Sequence, residues 1–288
     1  KLFRKLVESY DSRDEALRHF IQAYLASIAS VDEQVGRILD VIDSTELKDN
    51  TIIVLTSDHG WGMGEKDYLY KNSLWQESTR IPLIVRAPGI AQPEAVCDRP
   101  VSLVDIYPTL ADCCELQGDT MKNERGHSLD GHSFRRLLTD PYGGTWDGPE
   151  EVLTALYKWR MKYNPHEESY SLRGNDWRYI RYENGKEELY NTASDPNEWK
   201  NLATEAQYSH EINRLRQVLA SRLPEKGIVP PQPQWKAPGK PEPKSNEYWK
   251  DLYFKKNPDA DADKDGTLSW PELHAHKKAN ASPVQSTQ

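Results

Sequence analysis

The chain has 288 residues, with 37 Lys and Arg against 45 Asp and Glu, for a net charge of −8. That acidic balance argues against a protein that lives on nucleic-acid phosphates, and no apolar run reaches the ~18 residues that would suggest a membrane span. Hydrophobic residues make up 37% and charged ones 28%, a globular composition with room for two domains and a small appendage.

Ser12 and Glu15 have capping-box spacing and predict the start of a long helix. Leu17, Ile21, Tyr24, Ile28, Val31, Val35, Ile38 and Ile42 recur at alternating steps of four and three, which predicts one apolar face over most of seven turns. After the turn at Lys48-Asp49-Asn50, residues 51–57 are apolar without alternation, as in a strand buried on both sides of a parallel sheet. Residues 81–85 repeat that pattern and end at Ala87-Pro88-Gly89. Together these elements read as part of an α/β layer.

Ser102-Leu103-Val104-Asp105 predicts another helix start, running into residues 106–115. The polar stretch 117–150 reads as loop with one short helix near 133–138. Residues 152–157, 170–173, 177–182 and 187–190 are short, aromatic and partly alternating, and predict an antiparallel meander with a hairpin turn at Glu183-Asn184-Gly185-Lys186. A helix follows at about 205–223, with Ile212, Leu215, Val218 and Leu219 on one face. From Pro230 to Pro243 six of fourteen residues are proline, the composition of a stiff linker. The expected organisation is therefore an α/β part at 1–145, an antiparallel subdomain at 146–229, a linker at 230–245 and a separate unit at 246–280.

That last unit holds Asp261-Ala262-Asp263-Lys264-Asp265-Gly266-Thr267-Leu268-Ser269-Trp270-Pro271-Glu272. Counted from Asp261, carboxylates fall at positions 1, 3, 5 and 12, glycine at 6 and an apolar residue at 8, which is the EF-hand loop pattern. Ca²⁺ takes six to eight oxygens, and such a loop would supply them from Asp261, Asp263, Asp265, the Thr267 carbonyl, a water held by Ser269, and both oxygens of Glu272. The alternative is a solvated acidic loop. With only one such motif in the chain, the expected role is structural calcium or docking.

Asp58-His59-Gly60 directly follows the strand at 51–57, where open α/β sheets place their ligand crevices. A carboxylate and an imidazole there suit metal binding or acid–base chemistry, or else an ordinary capped turn. Lys71 lies in the loop that returns to Arg80-Ile81-Pro82-Leu83. With Val31-Asp32-Glu33-Gln34-Val35-Gly36, Val104-Asp105-Ile106-Tyr107-Pro108-Thr109-Leu110, Trp177-Arg178-Tyr179-Ile180-Arg181-Tyr182 and Asp195-Pro196-Asn197-Glu198-Trp199-Lys200-Asn201-Leu202, these residues resemble the sulfatase family. The likeness spans about 14–223, sits within the alkaline-phosphatase-like superfamily, and is strongest to iduronate-2-sulfatase-type members.

The resemblance implies a sulfuric ester hydrolase acting on sulfated sugars. It implies that Asp58 and His59 complete an active-site Ca²⁺, with His59 a candidate contact to nucleophile or sulfate, and that Lys71 holds the sulfate and leaving oxygen. The family's nucleophile is a formylglycine made within a Cys/Ser-x-Pro-x-Arg motif, and this sequence has no such motif. The expectation is the C-terminal half of a sulfatase, inactive alone and needing its N-terminal half to complete the site. A phosphomonoesterase or phosphodiesterase of the same superfamily, or a noncatalytic calcium-binding docking or adhesion protein, are the alternatives.

Calcium sites favour an exported location, whether periplasmic, extracellular or lysosome-like. Where relatives carry Asn-His before the strand at 177–182, this chain has Ser169-Tyr170, which leaves Tyr170 and His166 as rim candidates. Trp177, Tyr179 and Trp199 are expected in the core, and His127 and His132 at the surface. Cys113 and Cys114 are expected to pack, with a bridge from Cys97 left open.

Overall fold

A computed structural model describes residues 1–118, 128–157, 164–225 and 246–279. The chain divides into two compact units, Lys1–Pro230 and Pro231–Gln288. The proline-rich stretch and His127 lie outside the described residues.

The first unit opens with a short helix α1 (Leu2–Val7) and the long helix α2 (Arg13–Asp43). Ser12 caps α2, its hydroxyl oxygen accepting the Glu15 N–H at 3.2 Å. The expected apolar face is present, but of the whole helix only Ala16 is buried. Ile21, Tyr24, Ile28, Val31 and Ile38 are exposed, because the described residues place no surface against them. Periodicity predicts what a helix can bury; burial also needs a partner.

The strands β1 (Ile53–Thr56) and, further on, β4 (Leu83–Arg86) frame the next segment. Between them lie the short hairpin of β2 (Gly62–Met63) and β3 (Leu69–Tyr70) and the single-turn helix α3 (Gln76–Thr79). β1 and β4 pair antiparallel, from Ile53↔Arg86 to Thr56↔Leu83. This corrects the expectation of a parallel pair buried on both sides. A parallel pair needs a crossover that carries the chain back along the sheet. Here the link doubles back through a hairpin and one helical turn, and the open faces leave Leu55 and Ile84 exposed.

Helices α4 (Ile106–Cys113) and α5 (Arg135–Thr139) follow. The buried Asp105 joins them: one carboxylate oxygen accepts the Ser102 N–H at 2.7 Å and the other the His132 N–H at 2.8 Å. Thr109 adds a second tie, accepting the Phe134 N–H at 2.9 Å. All three cysteines are free, with Cys113 buried and Cys97 and Cys114 exposed.

The meander forms as expected. Strands β5 (Val152–Leu156), β6 (Ser169–Arg173), β7 (Trp177–Arg181) and β8 (Glu187–Asn191) lie in sequence order, each antiparallel to the next. Gly185 takes φ of 77° in the β7–β8 turn, a left-handed position that glycine adopts without strain. Helix α6 (Ser209–Arg222) lays Ile212, Leu215 and Leu219 on Tyr170, Leu172, Tyr179 and Leu189 to make the main core. Tyr179 thus sits in the core, whereas Trp199 is exposed, contrary to expectation. Tyr170 is also corrected: it is buried and its hydroxyl donates to the Pro165 carbonyl, so it faces no rim. His166 is tied to the Pro224 carbonyl at 2.9 Å.

The second unit has helices α7 (Asn246–Lys256) and α8 (Trp270–Ala279) flanking the acidic loop. Ala260, Leu268 and Leu273 form its small core, with Tyr253 and Phe254 packed on it.

Candidate active site

β1 ends at Thr56, so the chain leaves the strand just ahead of Asp58 and His59. Ser57 donates its hydroxyl to the His59 carbonyl at 2.8 Å, which stiffens the turn. The His59 ring pairs Nδ1 with the Gly60 carbonyl at 2.8 Å. A carbonyl only accepts, so Nδ1 carries the proton and the neutral ring turns its Nε2 lone pair outward. Lys71 Nζ stands 2.9 Å from that Nε2 and donates to it. Asp58 Oδ1 lies 3.6 Å from the same nitrogen, on a side chain that is 83% exposed. The three residues that the sequence singles out are therefore brought into one cluster.

Two features place Lys71. The β2–β3 hairpin pairs Gly62 with Tyr70 and Met63 with Leu69, carrying the chain back toward the His59 turn. Tyr70 then takes φ of 78°, a backbone that a bulky residue rarely adopts, and this redirects the chain at Lys71. Trp61 meets the Tyr70 ring edge-on at 5.0 Å and backs that turn.

The His59 arm rests on α3. Gly60 donates its N–H to the Ser78 carbonyl at 2.9 Å. Glu77 is pushed above the usual carboxylate range, first by burial and then by the nearby Glu198 and Glu65 charges. Sequence reading misses the residues behind this arrangement: Glu198, Arg178, Lys66 and Trp75. Glu198 lies in the Asp195-Pro196-Asn197-Glu198 run and Arg178 in the strand at 177–182, where local pattern carries no sign of their long-range partners.

Asp58 offers an exposed carboxylate, the hard oxygen donor that Ca²⁺ prefers. His59 has the outer tie usual for metal-binding imidazoles, but its free lone pair already faces the Lys71 amine. Asp58 therefore fits a calcium site that draws further oxygens from elsewhere, and His59 fits Lys71 better than the ion.

In the second unit, Asp261, Asp263 and Asp265 each present a carboxylate oxygen within 4.8 Å of the others. Glu272 closes the loop, one oxygen accepting the Ala262 N–H at 2.9 Å and the other the Ser269 hydroxyl at 2.6 Å. The Ser269 hydroxyl and further N–H donors hold the Glu272 carboxyl down at about 2. Asp261 turns one oxygen to the Gly266 N–H at 2.9 Å, while its buried Oδ1 has no hydrogen-bond partner. Thr267 donates both its N–H and its hydroxyl to Asp265 at 2.8 Å.

Residues 3–116 match the family described as Sulfatase, and residues 64–225 match that described as N-sulphoglucosamine sulphohydrolase, C-terminal. The chain belongs to the sulfatase family. A sulfatase of Formosa agariphila is 35% identical over 70% of this chain and 36% of its own length. A Delta 4,5-hexuronate-2-O-sulfatase of Bacteroides thetaiotaomicron is 31% identical over 75% of this chain and 44% of its own. The chain thus spans less than half the length of these relatives. A solved protein in complex with its substrate D-glucosamine-2-N,6-O-disulfate superposes with a TM-score of 0.64 at 26% identity, covering 73% of this chain and 41% of that one. A phosphonate monoester hydrolase of Agrobacterium radiobacter superposes with a TM-score of 0.57 at 27% identity, covering 67% and 39%. These likenesses make the mixed α/β part of this chain an alkaline-phosphatase-like fold. Among the described residues no helix is long and apolar enough to cross a membrane.

Proposed function

We propose that this chain supplies the lysine–histidine side of a calcium-dependent sulfatase that hydrolyses sulfate esters of sugars, as in iduronate-2-sulfatase-like members. The observation that carries this reading is the 2.9 Å contact between Lys71 Nζ and His59 Nε2 beside the exposed Asp58. Ester cleavage leaves negative charge on the departing sugar oxygen, and a preorganised ammonium offsets it most strongly as the bond breaks. His59 accepts one N–H of Lys71 and so fixes the direction of the amine, leaving its other N–H groups for sulfate and leaving oxygen. Asp58 would hold calcium, which when bound supplies positive charge to the sulfate oxygens. The nucleophile, a formylglycine in this reading, and the other calcium ligands would come from an N-terminal half beyond this chain. The exposed apolar face of α2 and the open faces of β1 and β4 give that half a surface to cover.

Sulfated carbohydrate is the proposed substrate class, supported by the disulfated glucosamine held by one structural neighbour and by the hexuronate sulfatase among the relatives. An exported location, periplasmic, extracellular or lysosome-like, is proposed with it. The loop at 261–272 is proposed as an EF-hand that binds a second Ca²⁺ apart from the reaction.

The phosphonate hydrolase likeness keeps a second reading in view, ester hydrolysis at phosphorus. Joining this chain to its nucleophile-bearing half and comparing an aryl sulfate with an aryl phosphonate separates the two. Faster sulfate hydrolysis, lost on calcium chelation, supports the sulfatase. A preference for phosphonate would replace it.

A further inference from the structure

The two arms of the site meet on α3, and α3 is held by a buried ion pair from the antiparallel subdomain. Gly60, next to His59, donates to the Ser78 carbonyl in α3 at 2.9 Å. Lys71 lies just upstream of α3, in a segment fixed at both ends. At its far end the Gln76 N–H donates to Glu198 Oε2 at 3.0 Å, and the Leu74 carbonyl accepts from Arg178 Nη1 at 3.3 Å. Trp75 adds its indole N–H to Glu188 at 2.8 Å. At the near end Lys66 donates to the Glu198 carbonyl and lies over the rings of Tyr190, Trp75 and Trp199, at 4.7, 5.3 and 5.7 Å. Arg178 donates to Glu198 in turn, and both side chains are sealed from water, 2% and 0% exposed.

We infer that Glu198 is a positioning residue: through the Gln76 N–H it sets α3, and through α3 it sets the Lys71 amine against His59. Glu198 touches neither Lys71 nor His59, so it acts on the chemistry only through backbone. A charge-assisted hydrogen bond to a fully buried carboxylate is short-ranged, directional and unshared with water, which suits a fixed reference point. The inference rests on the proposed role of Lys71, but its test reads geometry rather than turnover.

Glu198→Leu leaves Arg178 buried without its partner and can fail to fold. Gln76→Pro avoids that. Gln76 is the first residue of α3, where proline is favoured and the lost N–H serves no helical bond. Trp75 before it has φ of −77° and ψ of 167°, the extended backbone that a following proline requires. The variant removes only the link to Glu198 and the Gln76 side chain, and Gln76→Ala controls for the side chain.

The measurement is the long-range ¹H–¹⁵N spectrum of the histidine rings in the 288-residue chain at pH 8, with His59 assigned from His59→Gln. Nε2 loses its donor in Lys71→Ala, and that spectrum marks the unpaired position. Gln76→Pro is expected to move the His59 Nε2 resonance most of the way to that position, with Gln76→Ala staying near wild type. A Gln76→Pro resonance that stays at the wild-type position, an equal shift in Gln76→Ala, or no shift in Lys71→Ala overturns the inference. Failure of the joined enzyme to cleave aryl sulfate would remove the proposed reaction and leave this geometric result standing.

Discussion

A β-carbon at Gly60 would stand 2.0 Å from the carbonyl oxygen of Glu77, closer than any side chain tolerates. The turn that carries His59 and the helix that follows Lys71 touch backbone to backbone, with no room for even a methyl group. Gly60→Ala must therefore push the two apart. It is expected to cost about 1–3 kcal/mol in urea unfolding, the usual penalty for overpacking, and to shift the His59 ring signals in the folded protein. Unchanged stability would mean that the turn has slack which the contact distance denies.

The Arg178–Glu198 pair predicts an asymmetry. Removing one member leaves the other charge buried and unpaired, so Arg178→Met is expected to lose about 3–5 kcal/mol. Arg178→Met combined with Glu198→Leu, which fills the same space with apolar groups, is expected to recover much of that loss. Chemical denaturation of the single and double variants measures the difference. Equal losses in both would show that hydrogen bonds to Leu74 and Gln76, not the charge, dominate.

Glu187 predicts an acid limit to stability. The Arg216 guanidinium beside it, helped by the Tyr179 hydroxyl at 2.5 Å, holds its carboxyl below the usual carboxylate range. A group whose value falls on folding stabilises the fold at pH above its unfolded value and loses that contribution as pH drops through the folded one. Melting temperature is therefore expected to fall below about pH 4.5 more steeply in wild type than in Glu187→Gln, the two curves converging in acid. Parallel curves would rule out this pair as a source of the acid response.

Much of the fold was legible from local pattern. The capped start of α2, the meander, the Gly185 turn and the face of α6 each depend on residues close in sequence. The antiparallel pairing of β1 with β4 was not legible, because an apolar run shows burial without showing direction, and the return path depends on how residues 57–82 fold back. The exposure of α2 was likewise hidden, since periodicity carries no record of a partner. Of the site, Asp58 and His59 stood out as chemical types at a strand end, and Lys71 only through the family resemblance. Glu198 and Arg178 did not, because a charge 122 residues from Gln76 announces no contact until the chain is folded.

The loop at 261–272 gives a separate prediction. Trp270 lies inside it and next to Lys250, whose amine stands 5.5 Å over the ring, so its fluorescence can excite a bound lanthanide. Terbium emission is expected to rise on titration and to be displaced by Ca²⁺ with an affinity on the order of 10⁻⁴–10⁻³ M, the range of extracellular modules. Asp261→Ala and Glu272→Gln are each expected to weaken it at least roughly tenfold, because each removes charge from a site that replaces hydration with oxygens. Emission that is indifferent to both substitutions would return the loop to an ordinary acidic surface.

In the proposed reaction Lys71 stabilises the leaving oxygen of a sulfate ester. The most direct measurement is kcat for an aryl sulfate, in the enzyme that joins this chain to the proposed nucleophile-bearing half, with Lys71 and with Lys71→Ala. A loss of roughly 10²–10³-fold in kcat, with the melting temperature nearly unchanged, is the predicted result. Equal kcat in the two proteins would contradict it and leave Lys71 an ordinary surface lysine beside a histidine.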